Sequence, residues 1–280
     1  MAATAEPETF KPRPKHLLPI ALGLVATGIL GYPIAQSGAQ PAQVTPFAGT
    51  SFTDASLNAL IFVLALSGSA TAMFLLIRKG RMRFIRRMIK GALILVSFAV
   101  AFWYTASILY TIDISLLFLL SIGIAVLVGF TVFGKGPARQ LFGVTALSSL
   151  TGVFLGYSIP LVTALVLVGA LVVYDIVAVF RGPVGALAKT VGAGDLPGAM
   201  YSYGDLTIGM GDLVFYSLVA MTGMVYFQLS GFVGAAVGIL AGTFLGFKAL
   251  SKYEMFPGLP FSLLLGVVGM FAGWAIQFLV

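Results

Sequence analysis

The sequence predicts an all-α fold, a polytopic membrane protein with nine transmembrane helices. Charged residues make up only 9% of its 280 residues, whereas an average soluble domain has about 25%. Hydrophobic residues make up 59% of the chain, and the mean hydropathy is +1.06. Because so few charges cannot cover the surface of a soluble protein of this length, we expect the chain to lie in a lipid bilayer.

Nine apolar runs are long enough to cross a bilayer, which takes about 20 helical residues. The predicted spans are Leu17–Ala35, Leu57–Ile77, Gly91–Tyr110, Ser115–Phe133, Leu141–Tyr157, Leu161–Phe180, Leu206–Gln228, Gly231–Phe247 and Phe261–Val280. Spans three and four are separated only around Asp113, and spans five and six only around Pro160. Both pairs are therefore expected to form tight hairpins.

The basic residues fall on one side of these spans. All 16 lie before span one or in the gaps after spans two, four, six and eight. The positive-inside rule makes that side cytoplasmic, which places the N-terminus inside and the C-terminus outside. The largest basic group, residues 78–90, is interpreted as a topology signal that contacts lipid headgroups, not as a nucleic-acid site.

The chain is expected to form a single membrane-embedded domain. A polar tail (1–16) precedes spans one to six (17–180), and a cytoplasmic loop (181–205) precedes spans seven to nine (206–280). Small residues in the last two spans form faces on which another helix can approach closely. These residues are Gly234, Gly238, Gly242 and Gly246 in span eight, and Gly266, Gly269 and Gly273 in span nine.

Only two acidic residues, Asp175 and Asp212, lie well within the spans. A charged group there costs about 2.5–3.5 kcal/mol on insertion scales, so each is a functional hypothesis by default. Asp175 lies five residues before the end of span six, and Asp212 six residues into span seven. Both are therefore about 7–9 Å below the cytoplasmic boundary, at a rise of 1.5 Å per residue. If the two helices touch, the carboxyl groups can face each other.

The composition limits the chemistry that this pair can support. There is no Cys, and the one His, His16, lies in the N-terminal tail, so we expect no thiol catalysis, no metal site and no cofactor. Two close carboxyl groups share a proton, which supplies one acid and one base for the activation of water. A proton or cation relay, and a protonated Asp that joins two helices, remain open as alternatives.

Three short motifs around these residues carry a resemblance to a known family. They are Tyr174-Asp175 in span six, Gly209-Met210-Gly211-Asp212 in span seven, and Pro257-Gly258-Leu259-Pro260 before span nine. Together they resemble the Tyr-Asp, Gly-x-Gly-Asp and Pro-Ala-Leu motifs of the presenilin and signal peptide peptidase family. That family consists of intramembrane aspartyl proteases, and the chain is most similar to its archaeal presenilin-like members. Gly258 stands where the family usually has Ala.

The resemblance implies roles for each motif. Asp175 and Asp212 would be the catalytic dyad, and Gly209, Met210 and Gly211 would admit the substrate backbone, although helix packing also explains the two glycines. Tyr174 would hydrogen-bond near the dyad or be an ordinary interfacial aromatic. The segment from Pro257 to Pro260 would position an unwound substrate, as an added strand.

The sequence thus predicts an intramembrane aspartyl endopeptidase of the GxGD type, with no metal and no cofactor. Its expected partners are transmembrane helical peptides and membrane lipids, not nucleic acid, and the resemblance implies an archaeal cell membrane. A serine enzyme would need a His in the membrane, and a metalloprotease would need His-Glu-x-x-His; the sequence has neither. The main alternative is a transporter or cation channel that uses Asp175 and Asp212 as a relay.

Overall fold

The computed structural model describes residues 12–134, 136–180, 196, 198–203, 206–251 and 257–279. In this part of the chain a short 3-10 helix, Pro14–Leu17, precedes eight α-helices and one two-stranded sheet. The helices are α1 (Leu18–Gln36), α2 (Phe52–Arg78), α3 (Met82–Ile108), α4 (Ile114–Val132), α5 (Pro137–Ser158), α6 (Leu161–Phe180), α7 (Met210–Leu250) and α8 (Leu259–Ile276). The strands are β1 (Met200–Tyr203) and β2 (Leu206–Gly209).

All eight helices are long and apolar enough to cross a membrane, which agrees with the predicted polytopic all-α fold. Helix α5 and the first half of α7 form the centre of the molecule, and α1 and α8 pack on them. Helix α2 lies at the periphery, where none of its large apolar side chains is buried and about half of them are exposed. In a membrane protein such a face contacts lipid.

The structure has eight such helices where the sequence predicts nine spans, because predicted spans seven and eight both lie in α7. The 41 residues of α7 include non-helical backbone at Phe227 and Gln228. A Cβ atom placed on Gly223 would lie 2.7 Å from the carbonyl oxygen of Gly231, whereas a straight helix separates such residues by about 12 Å. The chain therefore reverses here, and α7 consists of a first arm (210–226) and a second arm (229–250).

The predicted start of span seven at Leu206 is wrong. Residues Leu206–Gly209 form β2, which pairs antiparallel with Met200–Tyr203, and α7 begins only at Met210. The β-branched pair Thr207 and Ile208 suits a strand, and Gly209 ends it as the N-cap of α7. The predicted loop 181–205 therefore contains a strand, while residues 181–195, 197, 204 and 205 lie outside the described residues.

The small sheet is fixed to the helices through Tyr201. Its side chain is buried, and its hydroxyl donates a hydrogen bond of 3.0 Å to the carbonyl oxygen of Pro137, at the start of α5. Burial raises the pKa of Tyr201 because the charged phenolate loses hydration there. The sheet thus holds the entry to α7 against α5.

Both predicted tight hairpins are present. Asp113 is the N-cap of α4, and its carboxylate accepts a hydrogen bond of 2.8 Å from the Ser115 amide. This bond to the ionised form lowers the pKa of Asp113. At the other hairpin, α5 ends at Ser158 and α6 begins at Leu161. The end of the N-terminal tail is also packed, because His16 is buried edge-on against Phe247.

The glycine faces predicted in the last two spans pack against each other. Cβ atoms on Gly234, Gly238 and Gly242 would lie 2.1, 2.0 and 2.2 Å from backbone carbonyl oxygens of α8. The fourth residue of the series, Gly246, has no neighbour within 4 Å among the described residues. The second arm of α7 therefore meets α8 backbone to backbone, at a separation that only glycine allows.

We predict opposite effects of two Gly→Ala substitutions on this arm. Gly238→Ala should lower the free energy of unfolding by about 1–3 kcal/mol, because its methyl group would overlap the Leu265 carbonyl oxygen. Gly246→Ala should raise it by up to about 1 kcal/mol, because alanine is the better helix former and meets no neighbour. Unfolding in detergent measures both, and equal changes in the two variants would contradict glycine-mediated packing.

Candidate functional site

Asp212 lies in the first turn of α7, where Gly209 is the N-cap. The backbone of Gly209 lies close to the Asp212 carboxylate, because a Cβ atom on Gly209 would be 3.4 Å from Asp212 Oδ2. The carboxylate therefore lies at the positive end of its own helix dipole. Its side chain remains partly accessible, so water can reach it.

Asp175 lies near the end of α6, between a buried and an exposed face. Its Oδ2 atom accepts a hydrogen bond of 2.9 Å from the Leu259 amide, at the start of α8. Its neighbours Val173, Ile176 and Val177 are exposed, so this stretch of α6 also borders the lipid. Asp175 is thus reachable from the membrane side while its carboxylate is fixed by α8.

The N-terminus of α8 brings the two aspartates together. A Cβ atom on Gly258 would lie 3.8 Å from Asp212 Oδ2, and the next amide in the chain, that of Leu259, binds Asp175. From the sequence, the carboxyl groups were expected to face each other if their two helices touch. In the structure, however, α6 packs chiefly on α2 and α8 and makes little contact with α7. The two carboxyl groups are therefore neighbours because Asp175 binds the Gly258–Leu259 segment and Asp212 lies beside it.

In the Pro257–Pro260 segment, the Leu259 amide is the hydrogen-bond donor to Asp175, and the next residue has no amide hydrogen. Pro260 is the second residue of α8 and has no amide hydrogen, so the Leu259 amide, bonded to Asp175, has no adjacent donor after it. The side chains of Pro257, Leu259 and Pro260 are buried, which fixes the segment. A helix N-terminus also carries partial positive charge, which suits two nearby carboxyl groups.

A cavity of about 170 Å³ lies beside Asp212. It has room for several water molecules, since each occupies about 30 Å³ in the liquid. Strand β2, α1, both arms of α7 and the Pro257–Gly258 turn enclose it. The lining residues are Ile20, Leu206, Thr207, Ile208, Asp212, Tyr216, Thr243, Gly246, Phe247, Leu250, Pro257 and Gly258.

The two glycines of the Gly-x-Gly-Asp motif have different surroundings. A Cβ atom on Gly209 would lie 3.4 Å from Asp212 Oδ2, whereas one on Gly211 would meet nothing within 4 Å among the described residues. Neither glycine faces the backbone of another described helix, so helix packing does not explain them. Gly209 makes room for the carboxylate, and Gly211 leaves open space beside it.

Of the ten residues predicted for the site, three line the cavity: Asp212, Pro257 and Gly258. Among the other seven, Met210 and Tyr174 have no contact within the described residues that supports the role predicted for them. Met210 is only 7% exposed, and its backbone bonds to Ala199 and Ser148 hold the start of α7 against β1 and α5. Tyr174 is half-buried on α6 and makes no hydrogen bond to Asp175 or Asp212 in the part of the chain described here.

The sequence analysis missed a buried hydroxyl cluster formed by Tyr216, Thr243 and Ser262. The Tyr216 hydroxyl is 3.1 Å from Ser262 Oγ, which is 3.0 Å from Thr243 Oγ1. Spacing is the signal that could have found two of them. Tyr216 follows Asp212 by four residues and Ser262 follows Gly258 by four, so each pair shares a helix face.

Comparisons with known proteins agree with this arrangement. The presenilin family model matches residues 26–194, a range that includes Asp175 and ends before Asp212. Two solved structures of a presenilin family intramembrane aspartate protease resemble nearly the whole chain. The C222 crystal form has a TM-score of 0.65 and 21% identity, covering 92% of this chain and 97% of that chain.

The P2 crystal form gives a TM-score of 0.62 and 22% identity, covering 93% of this chain and 98% of that chain. At this level of identity the two likenesses establish a shared fold. No curated protein matches the sequence significantly.

We predict that Asp175 protects the first turn of α8 from hydrogen exchange. Asp175→Ala removes the acceptor of the Leu259 amide, so that amide should exchange faster. Asp175→Asn keeps a side-chain oxygen at the same position and should keep most of the protection. Hydrogen–deuterium exchange of peptides covering residues 257–263 measures this, and unchanged exchange in Asp175→Ala would rule out the bond.

Proposed function

Because the chain belongs to the presenilin family, we propose that it is an intramembrane aspartyl endopeptidase of the GxGD type. It cleaves transmembrane segments of membrane proteins, or signal peptides, at a dyad formed by Asp175 and Asp212. The observation that supports this best is that both carboxyl groups lie at one helix end, beside a cavity that Asp212 lines. No other described acidic residue lies within an apolar helix near that cavity.

In the proposed reaction the two carboxyl groups hold one proton between them. The ionised carboxylate takes a proton from a water molecule, whose oxygen attacks the scissile carbonyl carbon. The other carboxyl donates its proton to the carbonyl oxygen, which gives a neutral tetrahedral intermediate. One carboxyl then returns a proton to the leaving nitrogen while the other carboxylate takes a proton from a hydroxyl of the intermediate. The C–N bond breaks, a carboxylic acid and an amine are released, and the pair again holds one proton.

The substrate must be extended at the cleaved bond, because the peptide groups of a helix are shielded. From the sequence, the Pro257–Pro260 segment was expected to pair with the extended substrate, but β2 is better suited to this role. Leu259 and Pro260 are already helical, and the Leu259 amide is occupied by Asp175. Strand β2 lines the cavity and pairs only with β1 among the described strands, so one edge is free to accept an added strand.

The proposed orientation follows from the positive charges. The described basic residues lie at the ends of α2 and of the second arm of α7, in the first turns of α3 and α5, and before α1. We therefore assign this end of the bundle, which also carries the dyad, to the cytoplasmic side. The partners are transmembrane helical peptides and lipids, and the setting is an archaeal cell membrane.

We predict that Asp175→Asn and Asp212→Asn each lower cleavage of a reconstituted single-span substrate at least about 10²–10⁴-fold, the usual contribution of general acid–base catalysis. Each variant keeps the shape of the side chain but removes the proton shared by the pair. Asp113→Asn is the matched control, because Asn also caps helices well and Asp113 lies in a distant hairpin. Mass spectrometry of the products measures cleavage.

Full cleavage by either dyad variant would refute the assignment. The same vesicles also test the transporter alternative. Cation flux that requires both Asp175 and Asp212, in protein that cleaves no transmembrane peptide, would replace the protease by a transporter or channel.

We predict different kinetic effects from the two motif glycines. Gly209→Ala places a methyl group in van der Waals contact with Asp212 Oδ2, at 3.4 Å, which should exclude water from that side of the carboxylate and lower kcat severalfold with little change in KM. Gly211→Ala leaves Asp212 untouched but fills space beside it, so it should chiefly raise KM. Wild-type kinetics in both variants would contradict these roles.

A further inference from the structure

The hydroxyl cluster on α7 and α8 lies on the opposite side of the segment that binds Asp175. The Tyr216 hydroxyl donates toward the Gly258 carbonyl oxygen at 3.4 Å and toward Ser262 Oγ at 3.1 Å. Ser262 Oγ in turn lies 3.1 Å from the same Gly258 oxygen. The carbonyl oxygen of Gly258 is therefore held by two hydroxyl groups from two helices.

The hydroxyl donors and acceptors of the cluster can be assigned in a way that supports these contacts to Gly258. Thr243 donates its hydrogen to the carbonyl oxygen of Ile239 at 2.8 Å, which leaves its oxygen free to accept from Ser262 at 3.0 Å. If Ser262 donates to Gly258, then Tyr216 donates to Ser262 and supports that bond. If Ser262 donates to Thr243, then Tyr216 is the member of the cluster whose hydrogen can still reach the Gly258 oxygen. In both of these arrangements Tyr216 supports the Gly258 oxygen, through Ser262 or directly.

The Gly258 carbonyl and the Leu259 amide belong to one planar peptide unit. Because the unit is rigid and trans, its C=O and N–H bonds point in opposite directions. Fixing the oxygen therefore fixes the direction of the Leu259 N–H bond, which binds Asp175 Oδ2 at 2.9 Å. Without a Cβ atom, Gly258 itself supplies no side-chain contact to hold this peptide.

We propose that Tyr216 is a positioning residue, whose hydroxyl, together with Thr243 and Ser262, aims the Gly258–Leu259 peptide at Asp175. The inference rests on the proposed function for its effect on catalysis. Tyr216 comes from the first arm of α7, Thr243 from the second arm and Ser262 from α8, so the cluster joins all three segments around the dyad. Its members are each less than 5% exposed.

The position of Tyr216 supports this role over simple core packing. Tyr216 lies one turn after Asp212 on the same face of α7 and lines the same cavity. A phenylalanine would fill the core equally well, whereas a buried hydroxyl is retained at a cost unless it is bonded. Here the phenol oxygen bonds to groups at the start of α8, Gly258 and Ser262.

The test compares Tyr216→Phe with Tyr104→Phe. Tyr104 is a matched control, because its hydroxyl donates a hydrogen bond of 3.1 Å to the Leu30 carbonyl oxygen, away from the cavity lining. Tyr216→Phe should lower kcat about tenfold with KM unchanged, the loss expected for one buried hydrogen bond. It should also speed hydrogen exchange in residues 257–263, while Tyr104→Phe should alter neither.

Tyr216→Phe with wild-type kcat and wild-type exchange would overturn the proposal. Equal losses of kcat in both phenylalanine variants would also overturn it, because that would indicate general destabilisation. Exchange is measured without substrate, so faster exchange in a protein that cleaves nothing would refute the protease and keep the positioning contact.

A second pair keeps the test decisive if Tyr216→Phe does not fold. Ser262→Ala removes the hydroxyl that contacts the Gly258 oxygen, and Ser121→Ala removes an equally buried hydroxyl from α4. We expect the kcat loss and the faster exchange in Ser262→Ala only. The same behaviour in both serine variants would refute the cluster's role.

Discussion

The site depends on one hydrogen bond, from the Leu259 amide to Asp175. A helix N-terminus has amide hydrogens without partners inside the helix, and here one of them is satisfied by a carboxylate from a different helix. Asp212 lies beside the preceding residue, Gly258, and the two line the same cavity. The end of α8 thus joins two acidic groups that would otherwise repel each other, on helices that scarcely touch.

The close packing of α8 on the second arm of α7 sets the position of that helix end. Glycines at four-residue intervals let the two backbones approach, and the close contact ends at Gly242, next to Thr243, the first residue of this arm that lines the cavity. The same glycine series therefore packs at one end and leaves space at the other, where Gly246 lines the cavity. Asp212 lines the same cavity, so the space lies beside the carboxylate.

Much of this arrangement can be predicted from the sequence, because charge is so scarce. Asp175 and Asp212 stand out in apolar runs, and the glycine faces follow from their spacing. The strand at Leu206–Gly209 does not stand out, since a short apolar run before a helix has no distinguishing period. Its recognition requires the pairing partner Met200–Tyr203, which hydropathy does not identify.

The position of α8 between the two aspartates also cannot be predicted from sequence patterns. Periodicity shows which face of a helix is buried but not which neighbour covers it, so α6 and α7 seemed the natural pair. The hydroxyl cluster was missed for a related reason. Ser, Thr and Tyr are common in membrane helices, where most bond to the backbone of their own helix, and only tertiary contacts distinguish Tyr216.

The pH dependence of kcat/KM in reconstituted vesicles tests the shared proton most directly. A pair with one ionised and one protonated carboxyl predicts a bell-shaped profile. Activity falls at low pH because the base becomes protonated, and it falls at high pH because the acid loses its proton. A profile with a single limb, or with no pH dependence while the protein remains folded, would contradict the account.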